Sequence, residues 1–265
     1  IHDGTFTMTG GSIAENRIAD NGGGSGSGIY VANGEFNMSG GSITGNTITA
    51  VDTNGTTFGG GYGGGVYVAT SATFNMSGGT ISGNQVNYDG GGVYLSGTFN
   101  MTGGTIENNK SSKGGGVYVH GDATFTMTDG KITGNEATNG GGVYFYWYEN
   151  ADNANYANKG KFIVSGTPTI TGNTGHQGDN VCLAEKATLT IGEGGLKSGA
   201  KIGVGILSER TPASGAYVTI ATGVDNGYVT GSVFADNSRN YKIRKSGTEL
   251  VLLGKNGHVD HDDQT

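Results

Sequence analysis

The sequence predicts an all-β protein: a right-handed, single-stranded parallel β-helix of three sheets and about seven coils, closed by a C-terminal β cap. Three observations predict it. A motif recurs every 25 to 26 residues, the apolar residues inside it alternate as strands require, and Gly supplies 55 of 265 residues while Pro supplies 2. Glycine at about three times its usual share of roughly 7% disfavours helices, where each interior Gly costs about 1 kcal/mol. The scarcity of Pro and the lack of a Gly-x-y period exclude collagen.

The repeat is read first, because self-similarity decides the architecture. FTMTGGSIAEN starts at Phe6, FNMSGGSITGN at Phe36, FNMSGGTISGN at Phe74, FNMTGGTIENN at Phe99 and FTMTDGKITGN at Phe125. A worn copy, FIVSGTPTITGN, starts at Phe162, and a last echo, LTIGEGGL, at Leu189. Between them runs a second motif: GIYV at Gly28, GVYV at Gly65, GVYL at Gly92, GVYV at Gly116, GVYF at Gly142 and finally NVCL at Asn180.

Each period holds three strand-like pieces. In F-x-M the apolar residues alternate, and all five Met of the chain (Met8, Met38, Met76, Met101, Met127) occupy that one slot. The second piece centres on Ile13, Ile43, Ile81, Ile106, Ile132 and Ile170. The third is V-Y-V, whose flanking aliphatics lie two apart and share a face. Gly-Gly, Gly-Asn and Gly-Gly-Gly between the pieces supply corners that need positive φ. A propeller blade needs about 40 residues or more, and the Leu/Asn consensus of leucine-rich repeats is missing.

Such a coil buries its apolar side chains only by stacking on neighbours about 4.8 Å away, which sets identical residues above one another. Phe then stacks on Phe, at roughly 0.5–1.5 kcal/mol a pair beyond area burial, with Met filling the gaps. Asn16, Asn46, Asn84, Asn109, Asn135 and Asn173 are expected to form an amide ladder. Like charges repeated at that spacing repel, which fits a charged content of 14%.

The I-x-x-N and G-G-G-V-Y elements resemble the repeats of right-handed parallel β-helix proteins of bacterial cell surfaces. They are similar to the F-x-x-N and G-G-A-I motifs of polymorphic outer-membrane proteins, and closer to adhesin-like proteins of gut bacteria. The resemblance covers residues 1–198. It implies a β-helix at an extracellular location, secreted or on the cell surface.

Residues 199–254 read as the cap a stacked sheet needs, with a hairpin in Tyr241–Leu253 turning at Ser246-Gly247 and Arg239, Lys242, Arg244 and Lys245 charging its edge. Residues 255–265, containing His258 and Asp263, read as a flexible tail or linker. Ile1 opens in mid-pattern, so the chain is expected to be a piece of a larger protein and a monomer as such.

With 15 Lys and Arg against 22 Asp and Glu, the net charge is −7. Nucleic acid is not an expected partner, since that needs clustered cations, and no apolar run of about 18 residues suits a membrane. No cofactor and no metal site are expected. A single Cys excludes cysteine-based zinc sites. It is Cys182, in the slot that Tyr fills in earlier coils, and an outward, reachable thiol is expected there. Asp89, Glu107, Asp122, Asp129 and Glu136 fall in different registers, so no catalytic group is assigned.

The candidate ligand-binding residues are aromatic. In G-V-Y-V the aliphatics point inward, so Tyr30, Tyr67, Tyr94, Tyr118 and Tyr144 form an outward column. Two long insertions, 47–62 and 146–159, flank the same sheet, and the second carries Tyr146, Trp147 and Tyr148. Insertions on one face of a solenoid often mark its binding side. The column is either a platform for host or dietary glycans or for a surface protein, or a stacked ladder that only stabilises the sheet. The sequence thus points to a non-enzymatic module, adhesin or rigid stalk. The alternative is a carbohydrate-active enzyme of the pectate-lyase-like β-helix superfamily.

Overall fold

The computed structural model describes residues 1–19, 24–49, 60–147, 160–207, 210, 216–236 and 241–253. Strands recur at each repeat and pair in parallel with the same strand one coil away, which makes the chain a parallel β-helix. No α-helix occurs among the described residues.

Within the three pieces of the repeat, registers are residue for residue, with shifts only in the links between pieces, as after Met101 and Val164. Phe6, Phe36, Phe74, Phe99, Phe125 and Phe162 stand in line, followed by Leu189 and Ala221. The Ile column runs from Ile13 through Ile43, Ile81, Ile106, Ile132 and Ile170 to Ile202 and Val233. The V-Y-V strands form a third column, from Ile29–Val31 to Val181–Leu183. The five Met and the Phe column from Phe36 to Phe162 enter one continuous core, where Phe36, Phe74, Phe99, Phe125 and Phe162 are fully buried. Phe6, on the first coil, is 40% exposed because only one side of its ring is stacked.

A fourth column adds to the three pieces read from the repeat. Arg17–Ile18, Thr47–Ile48, Gln85–Val86, Lys110–Lys113, Glu136–Asn139 and Thr174–Gln177 pair in parallel as a separate six-stranded sheet. Its inward slot passes from Ile18 and Ile48 through Val86 to Ser111 and Ala137, so no one residue type marks it beyond the first two coils.

The amide ladder sits just before this column. The Asn84 backbone N–H and Nδ2 both donate to Asn109 Oδ1, at 3.0 and 2.9 Å. Asn109 Nδ2 donates to Asn135 Oδ1 at 2.9 Å and to the Ile81 carbonyl at 3.0 Å. Each interior Asn therefore uses both amide hydrogens and accepts twice, nearly its whole inventory. The Asn-to-Asn bonds all run in one direction along the axis, each interior Nδ2 also donates back to the Ile carbonyl one coil before, and the last acceptor is a carboxylate. Asn173 donates to Asn180, and Asn180 donates from its backbone and Nδ2 to Asp236 Oδ2 and Oδ1 at 2.9 and 2.7 Å. Burial lifts the Asp236 carboxyl to about 6, against the pull of the Asn180 donors. Gly203 makes this closure possible, since a Cβ there would lie 2.4 Å from Asp236 Oδ1.

Parallel pairing runs past residue 198. Lys201–Ile206 pairs with both Thr169–Ile170 and Val181–Leu183, and Val233–Ala235 pairs beyond it. The end is antiparallel: Lys242–Ser246 and Glu249–Leu253 form a hairpin turning at Gly247-Thr248, and the second strand also pairs with Tyr217–Thr222. Arg239 and the segment from His258 to Asp263 lie outside the described residues.

Candidate functional site

The V-Y-V strands turn their Val and Leu into the main core and their Tyr to the opposite face, because successive side chains of a strand alternate. Three glycines precede each of these strands from Gly63 to Gly142. Gly90, at φ 73°, takes a corner where a Cβ would lie 2.6 Å from the Val93 carbonyl oxygen. On the outer face Tyr30, Tyr67, Tyr94, Tyr118 and Tyr144 stack in order. Centroids are 4.8, 5.1, 4.9 and 5.6 Å apart, and planes differ by 3 to 12°. Ring faces are thereby spent on one another, and Ser96 hydrogen-bonds the phenols of Tyr67 and Tyr94.

The column is only partly a surface. Tyr30 is 43% exposed and Tyr67 half-buried, whereas Tyr94, Tyr118 and Tyr144 are buried, at 9, 5 and 3%. Together with Cys182, Ala184 and Leu207 the three buried Tyr form a second apolar cluster, separate from the main core. The expectation of a reachable thiol is corrected here: Cys182 faces outward from the coil but is completely buried. Facing away from one core does not mean facing water, because the outer face of the later coils has its own cover.

The remaining candidates part company. Tyr146 packs on the outer cluster, with its ring 6.4 Å from Tyr118. Trp147 packs instead against the main core, and its indole N–H is buried with no hydrogen-bond partner among the described residues. Tyr148 lies outside the described residues, as do most of both insertions and all of Glu149–Asn158.

Beside the Tyr column stands a second line of outward residues, which the repeat did not mark. Ser25, Tyr62, Asp89 and Lys113 pair through isolated parallel bridges, one position before the glycine corners. Tyr62 leans on the next coil, its ring 4.8 Å from Tyr94 and tilted 58°, and 5.7 Å from Tyr88 at 41°. Lys113 leans the same way, with Nζ 5.5 Å from the Tyr144 ring centre, a cation–π contact. Asp89 lies between them and is 9% exposed.

Electrostatics mark the same spot. Burial raises the Asp89 carboxyl to about 6, opposed by Lys113. Burial first, and the Asp89 charge among the secondary causes, raises the phenols of Tyr62, Tyr94 and Tyr118. Arg210 is partly buried, which holds its guanidinium down to about 10, and it donates to the Leu183 and Ala187 carbonyls. Among the described residues no three His, Cys, Asp or Glu side chains gather. Glu136 is instead paired across coils with Lys110 at 2.6 Å.

Compared with known proteins, the chain matches no family model, no curated protein and no solved structure.

Proposed function

We propose that this chain is a non-enzymatic module of a secreted or cell-wall-attached bacterial surface protein. It is a rigid stalk whose tyrosine-bearing sheet contacts a glycan or a protein. The observation that carries the reading is the in-register repetition of Phe, Met, Ile, Asn and Tyr along one axis. Stacked rings and a continuous amide ladder couple every coil to the next, so bending or extending the rod breaks many contacts together. The resemblance of the repeats to adhesin-like proteins supports the same reading. The ligand-contacting part is the early end of the tyrosine sheet, with Tyr30, Tyr67, Tyr62 and Tyr88, where aromatic area meets solvent.

A glycan array probed with the 265-residue chain, run beside a polysaccharide-degradation screen, tests the proposal. Binding without turnover is expected, weakened when Tyr30 and Tyr67 are both changed to Ala. Turnover of any polysaccharide would replace this reading with the enzymatic one.

A further inference from the structure

The stacked column offers almost no free ring face, but one place on the same sheet does. Tyr62 is tilted 58° from Tyr94 and 41° from Tyr88, so Tyr62 stands out of the stack in which Tyr94 lies flat between Tyr67 and Tyr118. Tyr88 is 41% exposed, which opens the group to solvent. Beside it is Asp89, nine-tenths buried, whose backbone carbonyl accepts from the Gly63 N–H but whose carboxylate has no hydrogen bond and no ion pair within 4.0 Å to a described residue. The cation acting on it, Lys113, sits over the Tyr144 ring rather than in contact with the carboxylate. A buried carboxylate among aromatic rings, without a contact cation, is chemically half of an ammonium site. Aromatic faces attract organic cations, and the attraction grows on desolvation.

We propose that Asp89, walled by Tyr62, Tyr88 and Tyr94, binds the ammonium group of an amino sugar. The exposed ring of Tyr88 beside it offers amphipathic area on which a sugar ring can lie. The net charge of −7 favours a cationic ligand over an acidic polysaccharide. The inference rests on the tyrosine-sheet reading above and specifies its ligand class.

The test uses the 265-residue chain and three small probes at pH 7 and low salt: glucosamine, N-acetylglucosamine and a blocked lysine. Affinities are measured by calorimetry or by chemical-shift titration. Glucosamine is expected to bind at least ten-fold more tightly than N-acetylglucosamine, which lacks the charge. Asp89→Asn, which keeps the shape, is expected to lower glucosamine affinity at least ten-fold, with Tyr88→Ala acting in the same direction.

A second measurement needs no variant. Lowering the pH through about 6 should release glucosamine from the parent chain, as the Asp89 carboxyl takes up a proton. The ammonium stays charged throughout. The groups facing Asp89 are Tyr62, Tyr88, Tyr94, Tyr118 and Lys113, and burial raises the phenols of Tyr62, Tyr94 and Tyr118 further above this range. Equal binding of glucosamine and N-acetylglucosamine, or an unaltered Asp89→Asn, would overturn the inference. A neutral glycan held equally by parent and Asp89→Asn would also overturn it, while leaving the tyrosine-sheet reading in place. Blocked lysine bound as tightly as glucosamine would overturn the assignment to a sugar.

Discussion

The phenylalanine column and the tyrosine column are built by the same coils and stack at nearly the same spacing, yet they meet solvent differently. Phe36 to Phe162 are stacked at 4.6 to 4.9 Å and uniformly buried. Tyr30 to Tyr144 are stacked at 4.8 to 5.6 Å but pass from 43% to 3% exposed along the column. Stacking follows from the distance between strands, which the backbone imposes on both faces. Burial follows from cover. The Phe column is enclosed by its own coil, since all sides of a β-helix face inward together. The Tyr column is covered by groups such as Tyr62, Tyr146 and Leu207, which recur in no period.

The largest expected effect tests the enclosed side. Met101→Asp places an unpaired charge between Met76 and Met127, and should cost several kcal/mol or prevent folding. Thermal or denaturant unfolding measures it, and a variant that melts like the parent would contradict the inward assignment.

The next pair tests the gradient. Tyr118→Ala opens a cavity in the outer cluster and should cost about 3 kcal/mol, near the low end for large aromatic truncations. Tyr30→Ala, at the exposed end, should cost under about 1 kcal/mol. Equal costs would mean that stacking, rather than cover, sets the stability of the column.

The covered outer face also predicts a pH dependence. The fold raises Asp89 and Asp236 from 3.8 to about 6, so the folded chain holds these protons more tightly than the unfolded chain. The stabilising effect of protonation is fully present below the unfolded value and is lost as pH rises through about 6. Stability should therefore increase on acidification across the window from about 6 to about 4, by at most about 3 kcal/mol per carboxyl. Asp89→Asn should flatten that part of the curve and raise the melting temperature at pH 7 to 8. A flat curve in the parent would show that neither carboxylate is desolvated as described. The smallest effect is expected from Thr7→Asp, which points outward on the exposed first coil and should cost under about 0.5 kcal/mol.

Much of the fold was legible because its signals are periodic. The five Met in one slot, the Ile series and the Asn series each report an inward or ladder position, and each is found in register. The fourth strand was not legible, because it is two to four residues long and its slot changes from Ile18 and Ile48 to Val, Ser and Ala in the later coils. Asp89 was visible only as one acid among several in different registers. What distinguishes it is the company of Tyr62, Tyr94 and Lys113, which stand on three coils.

The sequence by itself determined the coil, its columns and the side on which each residue of a strand lies. A two-residue alternation and a repeat of constant length are local properties that the strand geometry converts directly into position. Only the tertiary structure decided which outward residues meet water. It buried Cys182 and Tyr144, turned Trp147 to the main core, and enclosed Asp89 among rings. The physical reason is that solvent cover is supplied by residues far away in the chain. Their approach depends on how separate coils and the last strands pack, and no spacing within the repeat records it.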